Sequence, residues 1–223
     1  PMNMRTLFTG LTILVALAVL SRPGLVAQSV SPPEFAQIKA QAETQYSDGS
    51  FAKANELYRQ VQRLELSPTD ARWVAFRLAD TSWRSQASTD THDSTVFDNA
   101  ARELESLIRS VERVEDRDIV WAEASESLGD FFWTRRDQQD WGRAWPHYSN
   151  ALEYWAGSDQ LDLARTRYLD MVWIMADPPW TREHQWLYYQ NNIPMNVLDN
   201  AATIAVTPED QSHAHYLIAM ALR

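Results

Sequence analysis

The chain of 223 residues predicts an all-α protein. Three observations carry that expectation. Apolar residues recur at the three- and four-residue steps of a helix face, never with the alternation of a half-buried strand. Only six glycines are present, while the good helix formers Ala, Leu, Glu, Gln and Arg are abundant. One helix-start signal, Ser/Thr-Pro-x-acid, occurs three times: "SPPE" at 31–34, "SPTD" at 67–70 and "TPED" at 207–210. In each, the hydroxyl can cap a free amide, proline suits the first turn, and the carboxylate faces the positive end of the helix dipole. Helix is expected over two-thirds or more of the residues after position 27, against about a third for an average protein.

The first 27 residues read as a secretory signal peptide. Arg5 precedes an apolar run at 7–20, and "SRPG" at 21–24 breaks it before a cleavage site after Ala27. The run has fourteen residues, fewer than the ~20 of a spanning helix. Cleavage removes Arg5 and Arg22 and takes the net charge from −10 to −12. An uncleaved signal anchor is the alternative, and the only expected tie to a membrane. The expected location is outside the cytoplasm, periplasmic or extracellular. The absence of cysteine excludes disulfides, thiol catalysis and zinc–thiolate sites. The acidic balance argues against nucleic acid, whose phosphates need a basic face.

Helical segments follow. "GSFAKANELYRQV" places Phe51, Ala54, Tyr58 and Val61 on one face. "STVFDNAARELESL" repeats the pattern with Phe97, Ala100, Leu104 and Leu107. "DWGRAWPHYSNALEYW" repeats it with Trp141, Ala144, Tyr148 and Ala151. Alanine at the second place admits a neighbouring helix backbone. Gly49 stands two residues before the first aromatic, and "SLGDFF" carries Leu128, Gly129 and Phe132. Residues 85–95 read as a loop, and Gly157-Ser158 marks one helix ending and another beginning. The helix from 159 to 176 carries Leu161, Ala164, Tyr168, Val172 and Met175 on one face, and "DPPW" ends it. A polar, aromatic connector occupies 177–194. Residues 197–205 and 214–222 read as one more helical pair, and its uncapped pattern up to Arg223 predicts a longer chain.

The aromatic-Ala-large-apolar pattern resembles the second helix of the tetratricopeptide repeat, and Leu128-Gly129 resembles the motif of its first helix. The resemblance covers 34–155 and implies an array of antiparallel helical hairpins, a tetratricopeptide-like α-solenoid spanning 31–176. The alanines stand 46 and 44 residues apart, longer than the ~34 of a regular repeat, so the hairpins are degenerate. A second stretch, "WPHYSNALEYWAGSDQLDLARTRYLDMVWIMADPPW", resembles the helical N-terminal region of large bacterial alpha-2-macroglobulin-like proteins. That resemblance implies endopeptidase-trapping domains further along such a chain.

Candidate chemistry is sparse. There is no phosphate loop, dinucleotide fingerprint, His-Glu-x-x-His or Gly-x-Ser-x-Gly, so neither catalytic residues nor a cofactor is expected. His213 and His215 point about 200° apart on a helix and cannot share a metal. His147 reads as a surface or groove histidine, and "TRRDQQD" at 134–140 as a solvated turn with local ion pairs. Trp141 and Tyr148 fall on the packing face. Pro146 is expected to kink its helix against the carbonyl of Gly142. Packing is the first reading of the rings around it, and the alternative is that the bend opens an aromatic-lined groove, with Trp145 as a candidate partner contact. "PPWTREHQWLYYQ" at 178–190 is rich in rings without a helical stripe. Trp180, Arg182 and Trp186 are docking candidates there, the other reading being that the two tryptophans plug neighbouring hairpins.

An exported helical array without catalytic residues reads most simply as a scaffold that binds protein or peptide. The N-terminal region of a macroglobulin-like endopeptidase inhibitor is the second reading. An accessory domain of an enzyme whose catalytic part follows residue 223 is the third. The downstream reading frame separates them.

Overall fold

The computed structural model describes residues 31–89, 93–135, 137–178 and 192–223; the signal peptide expected at 1–27 lies outside them. Helix covers 77% of the described residues, and no strand occurs among them. The order is α1 (Pro33–Ser47), α2 (Phe51–Val61), α3 (Pro68–Ala87), α4 (Ser94–Arg109), a 3-10 turn (Val114–Asp116), α5 (Ile119–Trp133), α6 (Trp141–Ala156), α7 (Leu161–Ala176), α8 (Met195–Ile204) and α9 (Pro208–Ala221).

Two of the three start signals act as read. Ser67 accepts from the Asp70 amide at 3.1 Å, and Thr207 accepts from the Asp210 amide at 3.0 Å. The first does not. The second proline of "SPPE" moves the cap position to Pro32, which has no side chain to offer. Ser31 turns instead to the start of α3, donating to Asp70 at 2.6 Å and accepting from the Ser67 amide at 2.9 Å. Asp93, Asp118 and Asp140 cap α4, α5 and α6 with their carboxylates. Gly49 closes α1 at φ +72°, where a Cβ would be strained. Its amide bonds Tyr46 O and the Ser50 amide bonds Gln45 O, the paired bonds of a Schellman ending.

Each helix packs against the next one in the chain, and α5 also touches both α3 and α7. The alanine positions explain the close approaches. Ala54, Ala100 and Ala144 are at most 3% exposed, and Tyr58, Leu104 and Tyr148 four residues on are sealed. Gly129 of α5 lies under the Tyr148 ring of α6. A Cβ at Gly129 would sit 2.6 Å from ring carbons, so only glycine fits. The core has two parts that meet on α3. Phe35, Ala42, Ala54, Tyr58, Val61 and Val74 form the smaller. The larger runs from Phe76 and Trp83 through α5 and α6 to Leu198 and Leu217.

Several boundaries differ from the sequence reading. Helix takes residues 85–87 from the expected 85–95 loop, and α4 begins at Ser94. Leu161, placed on the packing stripe of α7, is 70% exposed because it opens the helix before any neighbour reaches it. Helix α6 runs unbroken through Pro146, whose ring is exposed.

Candidate functional site

The most unusual feature is a line of charge inside the helices, shared by α1, α3, α5 and α7. It begins with a register. Arg77, Asp80 and Arg84 stand at i, i+3 and i+7 on α3, which puts them on one face. Glu123, Glu126 and Asp130 repeat that spacing on α5, displaced by 46 residues. This is the displacement that separates Ala54 from Ala100. The contact between α3 and α5 therefore sets two charged stripes against each other.

Each guanidinium serves at least two carboxylates, and Arg77 also lies 4.0 Å from Asp80. Arg77 makes a forked pair with Glu43 of α1 (Nε to Oε1 3.0 Å, Nη2 to Oε2 2.9 Å) and lies 3.4 Å from Glu123. Its plane lies 4.2 Å from the Tyr46 ring centre and 4.6 Å from that of Trp73. Arg84 donates to Asp80 at 2.8 Å and to Asp130 at 2.7 Å. Arg167 of α7 reaches Glu126 at 3.0 Å and Glu123 at 3.4 Å. Neutral donors fill the remaining positions. Ser127 donates to Asp80 at 2.6 Å and accepts from the Trp83 indole at 3.0 Å, while the Tyr148 hydroxyl donates to Asp130 at 2.7 Å. Tyr58 bonds Glu43.

The electrostatics follow from burial and pairing. Burial works against the Asp80 charge, but Arg84 and Arg77 outweigh it and hold the carboxyl below its ordinary range. Glu126 goes the other way. Burial pushes it up to about 8, Arg167 opposes this, and the neighbouring Asp130 and Glu123 add to the rise. Burial likewise drives the Tyr148 hydroxyl well up. Removing such groups from water is expensive, so this line fixes which helix faces meet more than it adds stability.

Sequence reasoning did not single out this line. Its signal was present in "VWAEASESLGDFF", where three acids share one face inside an otherwise apolar helix, in the register of Arg77-Asp80-Arg84. In the expected solvated turn at 134–140 the local ion pair is present and Asp137 and Gln138 are exposed, but the reading of Arg135 needs correction. Arg135 is only 5% exposed, its guanidinium 3.8 Å from the Phe97 ring centre and 4.5 Å from that of Phe131, and it pairs with Asp137. The apolar edge of α4 and α5 needs a flat cover there, and guanidinium supplies it.

Of the sequence-named candidates, Trp145 is half-buried and stacks on Trp141 at 5.7 Å. Trp141 meets Trp133 edge-on at 4.9 Å, and the Trp133 indole donates to Met175 O of α7 at 2.9 Å. Trp180, Arg182 and Trp186 lie outside the described residues. His147 stacks on Phe132 at 5.9 Å, half-buried rather than free at the surface, and burial lowers its pKa. His213 stacks on Trp173 at 4.2 Å, a packing contact between α9 and α7. Among the described residues no group of three or more acidic or imidazole side chains could hold a metal. No described helix is long and apolar enough to cross a membrane.

Fold and site together define an all-α protein of sequentially packed helices threaded by a buried ionic line. Compared with known protein families, curated proteins and solved structures, the chain matches none of them.

Proposed function

We propose that this chain is an exported, non-catalytic helical-repeat scaffold that binds protein or peptide, with its helices paired as tetratricopeptide-like hairpins. What supports the reading is the buried recurrence of Ala54, Ala100 and Ala144 on α2, α4 and α6, together with the contacts α3–α5 and α5–α7 between alternate helices. A stack of hairpins needs both, because each hairpin must bury one face against the next. The residues put forward to meet the partner are Trp145, half-buried on α6, and Trp180, Arg182 and Trp186 of the connector, because aromatic rings and arginine are enriched at interface hot spots.

Alanine substitution tests this. Trp180→Ala and Trp186→Ala are expected to leave the melting temperature unchanged and to weaken capture of a partner selected from a displayed peptide library. If both destabilise the protein by about 3 kcal/mol or more, as truncation of buried aromatics does, the connector is a plug and the docking proposal fails. Two arginines placed within 7–20 should keep the protein in the cytoplasm, and unchanged fractionation would count against export.

A further inference from the structure

The charges of the buried line do not balance. Glu43, Asp80, Glu123, Glu126 and Asp130 face three guanidinium groups, those of Arg77, Arg84 and Arg167. Arg84 is occupied by Asp80 and Asp130, and Arg77 by Glu43, Glu123 and, at 4.0 Å, Asp80. The excess therefore gathers where α5 meets α7. There, Oε2 of Glu123 and Oε2 of Glu126 converge on the same Nη2 of Arg167, at 3.4 and 3.0 Å, and neither makes an aligned hydrogen bond. Both glutamate side chains are 8% exposed. Glu123 has Arg77 as a second cation at 3.4 Å, whereas Glu126 has only the guanidinium it shares with Glu123, so away from water Glu126 favours keeping a proton.

The other neighbours of Glu126 supply no further cation. From α3 comes Arg84, which opposes the rise only weakly because it is already paired as above. Its own helix contributes Glu123 and Asp130, and α6 contributes the neutral Tyr148 hydroxyl. The buried residues of α4, namely Phe97, Ala100 and Leu104, are apolar. On α7, Asp170 also lies near Arg167 and competes for it. No described cluster has the geometry to replace the proton with a metal ion.

We infer that the contact between α5 and α7 is a proton-operated seam: one proton held on Glu126, where it meets Arg167 beside Glu123, keeps the helices together, and its loss loosens α7. The direction follows from linkage. Glu126 is protonated in the folded chain up to about pH 8 and only below about 4.5 when unfolded. The folded state thus binds the extra proton between those values, and its stability falls as pH rises through them. His147 titrates with the opposite sign, since burial lowers its pKa, so the seam is read as a difference between variants.

The test compares urea unfolding of the whole chain and of Glu126→Gln between pH 5 and 9. Relative to the variant, the wild-type unfolding constant should rise about tenfold per pH unit from pH 5 to 8, then level off. Amides of 161–176 should lose exchange protection over the same range once intrinsic exchange rates are divided out. A wild type and variant with parallel pH profiles overturn the inference. Should Glu126→Gln fail to fold, carbon-13 titration of the wild-type glutamate carboxyls decides alone. One carboxyl titrating above pH 7 supports the seam, and all titrating below pH 6 overturn it.

Discussion

Replacing Gly129 by alanine sets two known effects against each other. In an open helix the change would stabilise by about 1 kcal/mol, because alanine loses less backbone freedom. At Gly129 the new Cβ would stand 2.6 Å from Cδ1 and Cε1 of Tyr148 and 2.8 Å from Cγ. The ring cannot swing away freely. It is fully buried, and its hydroxyl is fixed on Asp130 at 2.7 Å. Overpacking of this kind costs about 1–3 kcal/mol, and weakening the buried hydrogen bond to Asp130 adds about 1–3 kcal/mol. The net expectation is a loss of about 3 kcal/mol after the propensity gain. For a chain of this size that lowers the melting temperature by about 6–12 °C. Gly142→Ala is the internal control. It lies in the first turn of α6, and its Cβ would meet only Asp140 Oδ1 at 3.4 Å. That variant should melt at or slightly above wild type. Thermal unfolding followed at 222 nm measures both. Gly129→Ala melting at or above wild type would refute the close α5–α6 approach.

Other expectations use the same structure. Ala54→Leu, Ala100→Leu and Ala144→Leu should each destabilise by about 1–3 kcal/mol in urea unfolding, and wild-type behaviour of all three would undo the alanine register. Arg84→Met leaves Asp80 and Asp130 without their main cation and should cost about 3–5 kcal/mol, measured the same way. In acid, the low pKa of Asp80 gives stability that is complete above its ordinary value and lost as pH falls through the lower folded one. Asp80→Asn should therefore be less stable at neutral pH and show a flatter loss below about pH 4. Trp145→Ala should lower the melting temperature only modestly, since its ring is half-buried on Trp141.

Local chemistry made much of the fold legible. Ser67-Pro68-Thr69-Asp70 and Thr207-Pro208-Glu209-Asp210 start helices because cap, proline and carboxylate act within four residues and need no distant partner. Gly49 ends α1 for an equally local reason, its positive φ. Ala54, Ala100 and Ala144 announce packed faces because period and residue size are both written in the chain. Pro32 shows the limit even at this scale: a second proline displaced the cap and left Ser31 free to bond Asp70, 39 residues on.

By itself, then, the sequence determined which segments are helical, where most of them begin, and which face of α2, α4 and α6 is buried. The tertiary structure alone decided what the charged residues do. Arg77, Arg84, Arg167, Glu123 and Glu126 have side chains that suit solvent as well as a buried pair. Only the placement of α1, α3, α5 and α7 turns their spacing into a desolvated line. Apolar burial is favourable against any apolar neighbour, so periodicity foretells it. Burial of charge is tolerable only when a particular partner arrives at about 3 Å, and which residue arrives is a property of the packed helices.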